Sequence, residues 1–256
     1  MTPYPALFLG HGSPMNAIEQ NRFHLEWRAL GQSLPRPKAI LCVSAHWETH
    51  GIKVSGSEAP ETIHDFGGFP QALFDVVYPA PGAPWLAART AELLKDFGAT
   101  IDPERGLDHG SWGVLTALYP DADVPVIQLS LDRARSPQEH YQIAKALRPL
   151  RDEGIMILAS GDIVHNLRAI DFRNPMPLDW AVRFNDQVKD LIARGQHQPL
   201  IDYLDLGQDA ALSINSAEHY LPLLYTLGVS DPGESLRFVT DEVFAALSMT
   251  GLVYGD

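Results

Sequence analysis

The sequence predicts an α/β fold: one domain over residues 1–256, with a central, mostly parallel sheet flanked by helices on both faces. Three observations carry that expectation. Several apolar runs are nearly continuous rather than alternating, which is the pattern of strands buried on both faces. Helical periodicity separates these runs, so strand and helix signals alternate along the chain. No internal repeat, low-complexity tract or linker divides the 256 residues, a length that fits a single α/β unit.

Ala6 to Gly10 reads as a short apolar strand. Ser13 then offers an N-cap and Pro14 the favoured first position of a helix that closes before Gly31. Ala39 to Ala45 (AILCVSA) is a buried strand, and Pro84 to Phe97 a helix that stops at Gly98. Val124 to Leu131 is the next strand. Ser136 and Glu139 have capping-box spacing, with Pro137 in the first turn of the helix they open. Ile155 to Ala159 (IMILA) is a further buried strand. Trp180 to Ala193 and Ala217 to Leu227 have helical spacing, the second ending at Gly228. Leu236 to Val253 is β-like and supplies edge strands.

Composition narrows the function classes. A formal net charge of −13 disfavours nucleic acid or an anionic membrane as partner. The single cysteine, Cys42, lies inside an apolar run and has no partner for an internal disulfide, as expected in a reducing cytoplasm. Neither a leader pattern nor a run of membrane-spanning length is present, so a cytoplasmic location is expected.

The ten histidines are the informative residues. His11 directly follows the first strand, His46 follows AILCVSA, and His165 comes shortly after IMILA. Ligands of open parallel sheets gather at the carboxyl ends of strands, so these three imidazoles converge on one point in such a fold. His219, in "INSAEHYLP", sits at the start of a helix and closes the set, while His109, in "LDHGSWG", lies in a glycine-flanked loop before another helix. An open, histidine-rich metal site is the reading. His64, in "TIHDFGGFP", lies in a long loop suited to contacting substrate. His24 reads as a solvated helix face, and His140 and His197 as similarly polar positions. His50 follows His46 on an extended segment, where helical ligand spacing does not apply.

Rival motifs are absent. "GHGSP" lacks the lysine and spacing of a phosphate-binding loop, and no G-x-G-x-x-G opens a helix. There is no G-x-S-x-G elbow and no C-x-x-C.

Six blocks in order, "LFLGHGSPMNAIE", "VSAHWET", "TIHDFGGFP", "LDHGSWGVL", "SGDIVHNLR" and "EHYLPLLYTLG", resemble the DODA-type extradiol aromatic ring-opening dioxygenases. This is the branch of the class III, protocatechuate dioxygenase B-subunit-like superfamily that includes plant and bacterial DOPA dioxygenases. The resemblance runs from about residue 5 to the C-terminus. It implies a metal-dependent enzyme that inserts O₂ into a catechol such as DOPA to give a ring-opened semialdehyde. His11, His46, His165 and His219 match the family's histidine blocks as metal ligands. Zinc is implied in the protein as isolated, and Fe²⁺ for ring opening. A four-histidine site and a three-ligand site with His165 beside it as acid/base both fit, with Glu218 or His219 near the third-ligand position. His109 is then a residue behind the ligands or against the substrate, and the second candidate after His165 for the catalytic acid/base. Asp108 and Asp162 are candidate acceptors that orient imidazoles, and Trp47, Trp112, Phe66 and Phe69 candidate walls of a catechol pocket. A Memo-like, non-catalytic binding protein and a zinc-dependent hydrolase are the two alternatives from other classes.

Overall fold

The computed structural model describes residues 2–171, 173 and 175–256. Its strands are β1 (Ala6–Gly10), β2 (Ala39–Thr49), β3 (Lys53–Ser55), β4 (Thr100–Asp102), β5 (Val126–Asp132), β6 (Ile155–Gly161), β7 (Leu236–Val239), β8 (Val243–Phe244), β9 (Leu247–Ser248) and β10 (Gly251–Tyr254). Eight of them form one sheet in the order β4-β3-β5-β2-β6-β1-β10-β7, and β8 pairs only with β9. The four central strands β5, β2, β6 and β1 are mutually parallel, whereas β3 and β10 join them antiparallel. The expected mostly parallel sheet is therefore present. Its β-like C-terminal stretch forms a true edge only at β7, because β10 is paired on both sides.

Side chains alternate between two apolar layers. Ala6 and Phe8 of β1 point into one, Leu7 and Leu9 into the other, and β2 and β6 repeat the pattern. Both faces are covered by helices, so each central strand reads as an unbroken apolar run. No helix among the described residues is long and apolar enough to cross a membrane.

Three helical expectations are adjusted by close packing. Ser13 caps as expected, its side chain accepting from Met15 N, but the element it opens is a short 3₁₀ turn, Pro14–Ala17. A separate helix, Arg22–Ser33, starts from Asn21 and runs through Gly31. Gly31 does not stop it, because a Cβ there would lie 1.9 Å from Leu118 O; the residue allows contact with the helix His109–Leu118. Likewise Gly228 lies inside the helix Leu221–Val229, where a Cβ would come 2.5 Å from Ala144 Cβ. By contrast Gly98, with φ 77°, ends the Pro84–Leu93 helix and its following 3₁₀ turn as read.

His24 and His140 are core groups rather than solvated ones. His24 Nδ1 lies 2.9 Å from Asn16 O, and His140 Nδ1 lies 2.9 Å from the Tyr225 hydroxyl. Burial pulls the His140 pKa down to about 4, against a smaller opposing pull from Asp132. The unfolded chain therefore binds a proton at His140 that the fold refuses. This contribution to stability is complete above pH 6.5 and is lost as pH falls from 6.5 through 4, by up to about 3 kcal/mol. Urea unfolding at pH 7 and pH 5 is expected to show a smaller acid loss in His140→Gln than in wild type. Equal losses would refute the assignment.

Candidate metal centre

The carboxyl ends of β1, β2 and β6 meet at one point. β1 delivers His11. β2 breaks register with β5 between Val43 and Glu48, and this irregularity carries His46 out of the ladder and toward the same point. Beyond β6, Asp162 N donates to His219 O (2.8 Å), so the segment before the helix Leu221–Val229 closes over the strand end. A side chain at Gly161 would meet His219 O at 2.2 Å, which is why the strand ends in glycine. His165 N donates to Ser213 O (3.0 Å), holding that loop in place.

Five imidazoles converge there: His11, His46, His109, His165 and His219. His46 Nε2 lies 3.1 Å from His11 Nε2, and the His46 and His109 ring centroids are 3.9 Å apart. His165 stacks on His219 at 3.5 Å with the rings nearly parallel. Donor atoms of His11, His46 and His109 lie within 4.8 Å of one another, as do those of His11, Asp162 and His219, and those of His165, Glu218 and His219. His11 is common to the first two groups.

Hydrogen bonds select the tautomers. Ser160 donates its hydroxyl proton to Gly110 O, so its oxygen accepts from His11 Nδ1–H at 3.0 Å. That leaves His11 Nε2 as a lone pair. His219 Nδ1 lies 3.1 Å from Glu218 Oε1, which frees its Nε2 in the same way, while His109 Nδ1 lies 2.9 Å from Asp65 Oδ1 as a charge contact without hydrogen-bond alignment. His11 and His219 thus have the outer acceptor that metal-binding histidines use to fix their orientation.

Electrostatics agree. Burial, then the neighbouring imidazoles, hold His11 and His219 well below the ordinary histidine pKa. Burial is also the main cause at His46, which is lowered to about 4, and at His165. Burial pushes the Asp65 carboxyl up, but hydrogen bonds and charge from His109, with charge from His46, outweigh it and hold Asp65 at about 2. Asp162 is driven well above the carboxylate range by burial, partly offset by the Gly12 amide. Its Oδ2 is buried without a hydrogen-bond partner, 3.7 Å from His11 Nε2. Neutral imidazoles with inward lone pairs and an orphaned carboxylate oxygen form a donor set that fits a divalent cation.

The chain matches the family described as the catalytic LigB subunit of aromatic ring-opening dioxygenase over residues 5–246. It belongs to that family. It is 50% identical over 260 residues to the 4,5-DOPA dioxygenase extradiol of Escherichia coli K12, covering 99% of this chain and 96% of that one. It is 36% identical over 239 residues to the 4,5-DOPA dioxygenase extradiol of Beta vulgaris, covering 91% and 89%. The crystal structure of an uncharacterized Escherichia coli K12 protein superposes with a TM-score of 0.87 at 44% identity, covering 98% of this chain and all of that one. This LigB-family protein is therefore an enzyme of the extradiol ring-opening class, and the binding-protein and hydrolase readings fall away.

Beside the imidazoles opens a cavity of about 610 Å³ with an apolar wall that includes Phe23, Phe66, Phe69, Ile170, Phe244 and Met249. Three predicted substrate contacts are not part of this wall. Trp47 follows His46 on an extended strand, so the two side chains point to opposite faces, and its indole packs under the Arg105 guanidinium at 4.9 Å. Trp112 is fully buried and donates Nε1–H to Ile63 O (2.9 Å). His64 Nε2 lies 3.0 Å from Val76 O, and its ring sits behind Phe66 against Trp112. Trp112 and His64 support the loop that carries Phe66 and Asp65.

The two predicted orienting acids also divide. Asp162 faces His11. Asp108 touches no imidazole and instead caps the helix His109–Leu118, accepting from Ser44, Gln128 and Arg105. His109 accordingly stands at the first position of that helix rather than in a loop. The acids beside imidazoles, Asp65 and Glu218, are less legible in the sequence: Glu218 stands out only as a candidate near the third-ligand position, and Asp65 has no spacing that marks it. Asp65 follows His64 in "TIHDFGGFP", and an acid in a histidine-bearing loop was the available signal.

Gly110 gives a sharp test of this packing. A Cβ there would lie 2.4 Å from Ser44 Oγ and 2.8 Å from His46 Cδ2. Gly→Ala inside a helix ordinarily stabilises by roughly 1 kcal/mol. Gly110→Ala is instead expected to displace the His46 ring and weaken metal affinity by roughly 10- to 100-fold, the usual size of an outer-partner effect. Competitive metal titration against a chromophoric chelator measures it, and an affinity equal to wild type would show that His46 does not depend on this contact.

Proposed function

We propose that the protein opens the ring of a catechol such as DOPA with O₂ to give a semialdehyde. The observation that carries this reading is the convergence of five imidazoles on the floor of an apolar, aromatic-walled cavity. His11, His46 and His219 are the residues we assign to hold the ion, with Asp162 beside His11. His165 and His109 are the proton-handling histidines. Zinc is the metal expected in aerobically purified protein and Fe²⁺ the metal of turnover. When bound, the ion supplies an anchor for both catechol oxygens and a path for electron density from the ring to O₂.

The chain's own residues do the rest. Phe66 and Phe69, edge to face at 5.5 Å, offer the catechol ring an aromatic wall and exclude water. His165 is held neutral by burial, so its free ring nitrogen takes the proton a catechol hydroxyl gives up and returns it to oxygen later in the cycle. Asp65 accepts from the His109 backbone N–H at 2.9 Å and places its charge 2.9 Å from His109 Nδ1, which anchors the residue that carries the second imidazole. Glu218 accepts from His219 Nδ1–H and fixes that ring.

Anaerobic loading with Fe²⁺, followed by DOPA and O₂, tests the reading. Oxygen uptake and a yellow ring-opened product are expected. Failure of every catechol in a panel, with iron content verified, would overturn it.

A further inference from the structure

The mouth of the cavity is electrostatically one-sided. Among the described residues Glu19 is its only ionisable lining residue apart from the imidazoles, and no Lys or Arg lines it. Glu19 lies beyond the 3₁₀ turn Pro14–Ala17, its side chain exposed, and among the described residues no hydrogen bond or salt bridge occupies its carboxylate. Four residues on, in the first turn of the helix Arg22–Ser33, Phe23 stands on the same wall. Two cations adjoin lining residues in sequence, Arg168 beside Leu167 and Arg22 beside Phe23; both are exposed and off the wall, and Arg22, 5.1 Å from the Phe23 ring, is already paired with Glu26 and Glu242. A free carboxylate beside aromatic faces is a receptor for an ammonium group. It also repels a second carboxylate, and the net charge of −13 acts in the same direction at long range.

We propose that Glu19 is a specificity-determining residue, selecting catechols whose side chain ends in an ammonium group and discriminating against those ending in a carboxylate alone. This rests on the catechol reading above. A catechol ring seated at the imidazoles directs its substituent toward the open end, where Glu19 stands. An amino-acid side chain such as that of DOPA, carrying both groups, ranks between the two extremes.

Three probes with the same ring and a short tail separate the terms: dopamine (cationic), ethylcatechol (neutral) and dihydrocaffeate (anionic). Binding of each to the metal-loaded protein is measured by calorimetry, and kcat/KM is measured separately on the iron-loaded enzyme. The expected order is dopamine, then ethylcatechol, then dihydrocaffeate. The dopamine-to-ethylcatechol ratio is expected to fall roughly fivefold in Glu19→Gln, the size of an exposed ion pair, and the preference to shrink with added salt. Glu19→Lys should invert the order of the two charged probes. Ratios identical in wild type and both variants would overturn the proposal, as would wild-type preference for dihydrocaffeate. The expected binding order without turnover of any probe would sink the ring-opening reading and leave the role of Glu19 standing. Turnover with no charge preference would do the opposite.

Discussion

His46→Ala is expected to purify without its metal and to lose at least roughly 10³-fold of its ring-opening activity, more than the 10- to 100-fold typical of losing an outer partner. His46 Nε2 faces His11 Nε2 at 3.1 Å, and only a proton or a cation between them makes that approach favourable. Removing one ring leaves a lone pair and an open corner where a donor stood. Elemental analysis beside His11→Ala provides the check, since both variants should be depleted alike. Wild-type metal content in His46→Ala would exclude His46 as a ligand. Because the His46 side chain is only half-buried, the fold should survive, which circular dichroism would verify.

His165→Ala is expected to keep most of its metal and lose turnover by roughly 10²- to 10⁴-fold, the range for removing a general acid/base. Its ring lies flat on His219 at 3.5 Å, and two stacked imidazoles do not aim their in-plane lone pairs at one point. Metal loss in step with activity would instead make His165 a ligand of the four-histidine site. Unchanged metal and unchanged turnover would exclude both roles. The wild-type and variant pH profiles separate the cases further when metal content is followed in parallel: protonating a ligand lowers metal content together with kcat/KM, whereas protonating an acid/base lowers kcat/KM with the metal retained.

The strands were legible because burial on both faces leaves a local mark. Ala6–Gly10 was read to the residue, and Ile155–Ala159 extends by only two residues, to Gly161. Capping left a similar mark at Ser136, where the reciprocal bonds with Glu139 form as the spacing implied. Short elements without such marks, β3 and β4, were invisible, since three residues cannot display a period. The convergence of histidines was legible for a topological reason: strand ends of a parallel sheet meet, so His11, His46 and His165 could be paired across 154 residues without contact data.

Direction and partnership were decided by tertiary structure alone. Whether an imidazole is core or site depends on what packs opposite it. His140 meets Tyr225 and His11 meets Ser160, from segments 85 and 149 residues away. The register break in β2 turns His46 toward the metal centre, and strand alternation turns Trp47 away from it. Asp65 and Asp108 are both acids beside a histidine in sequence, yet Asp65 faces imidazoles while Asp108 caps a helix. A residue's type and position in the chain set which bonds it is able to make. Which of them it makes is settled by the geometry of the groups that the closed sheet brings within about 3 Å.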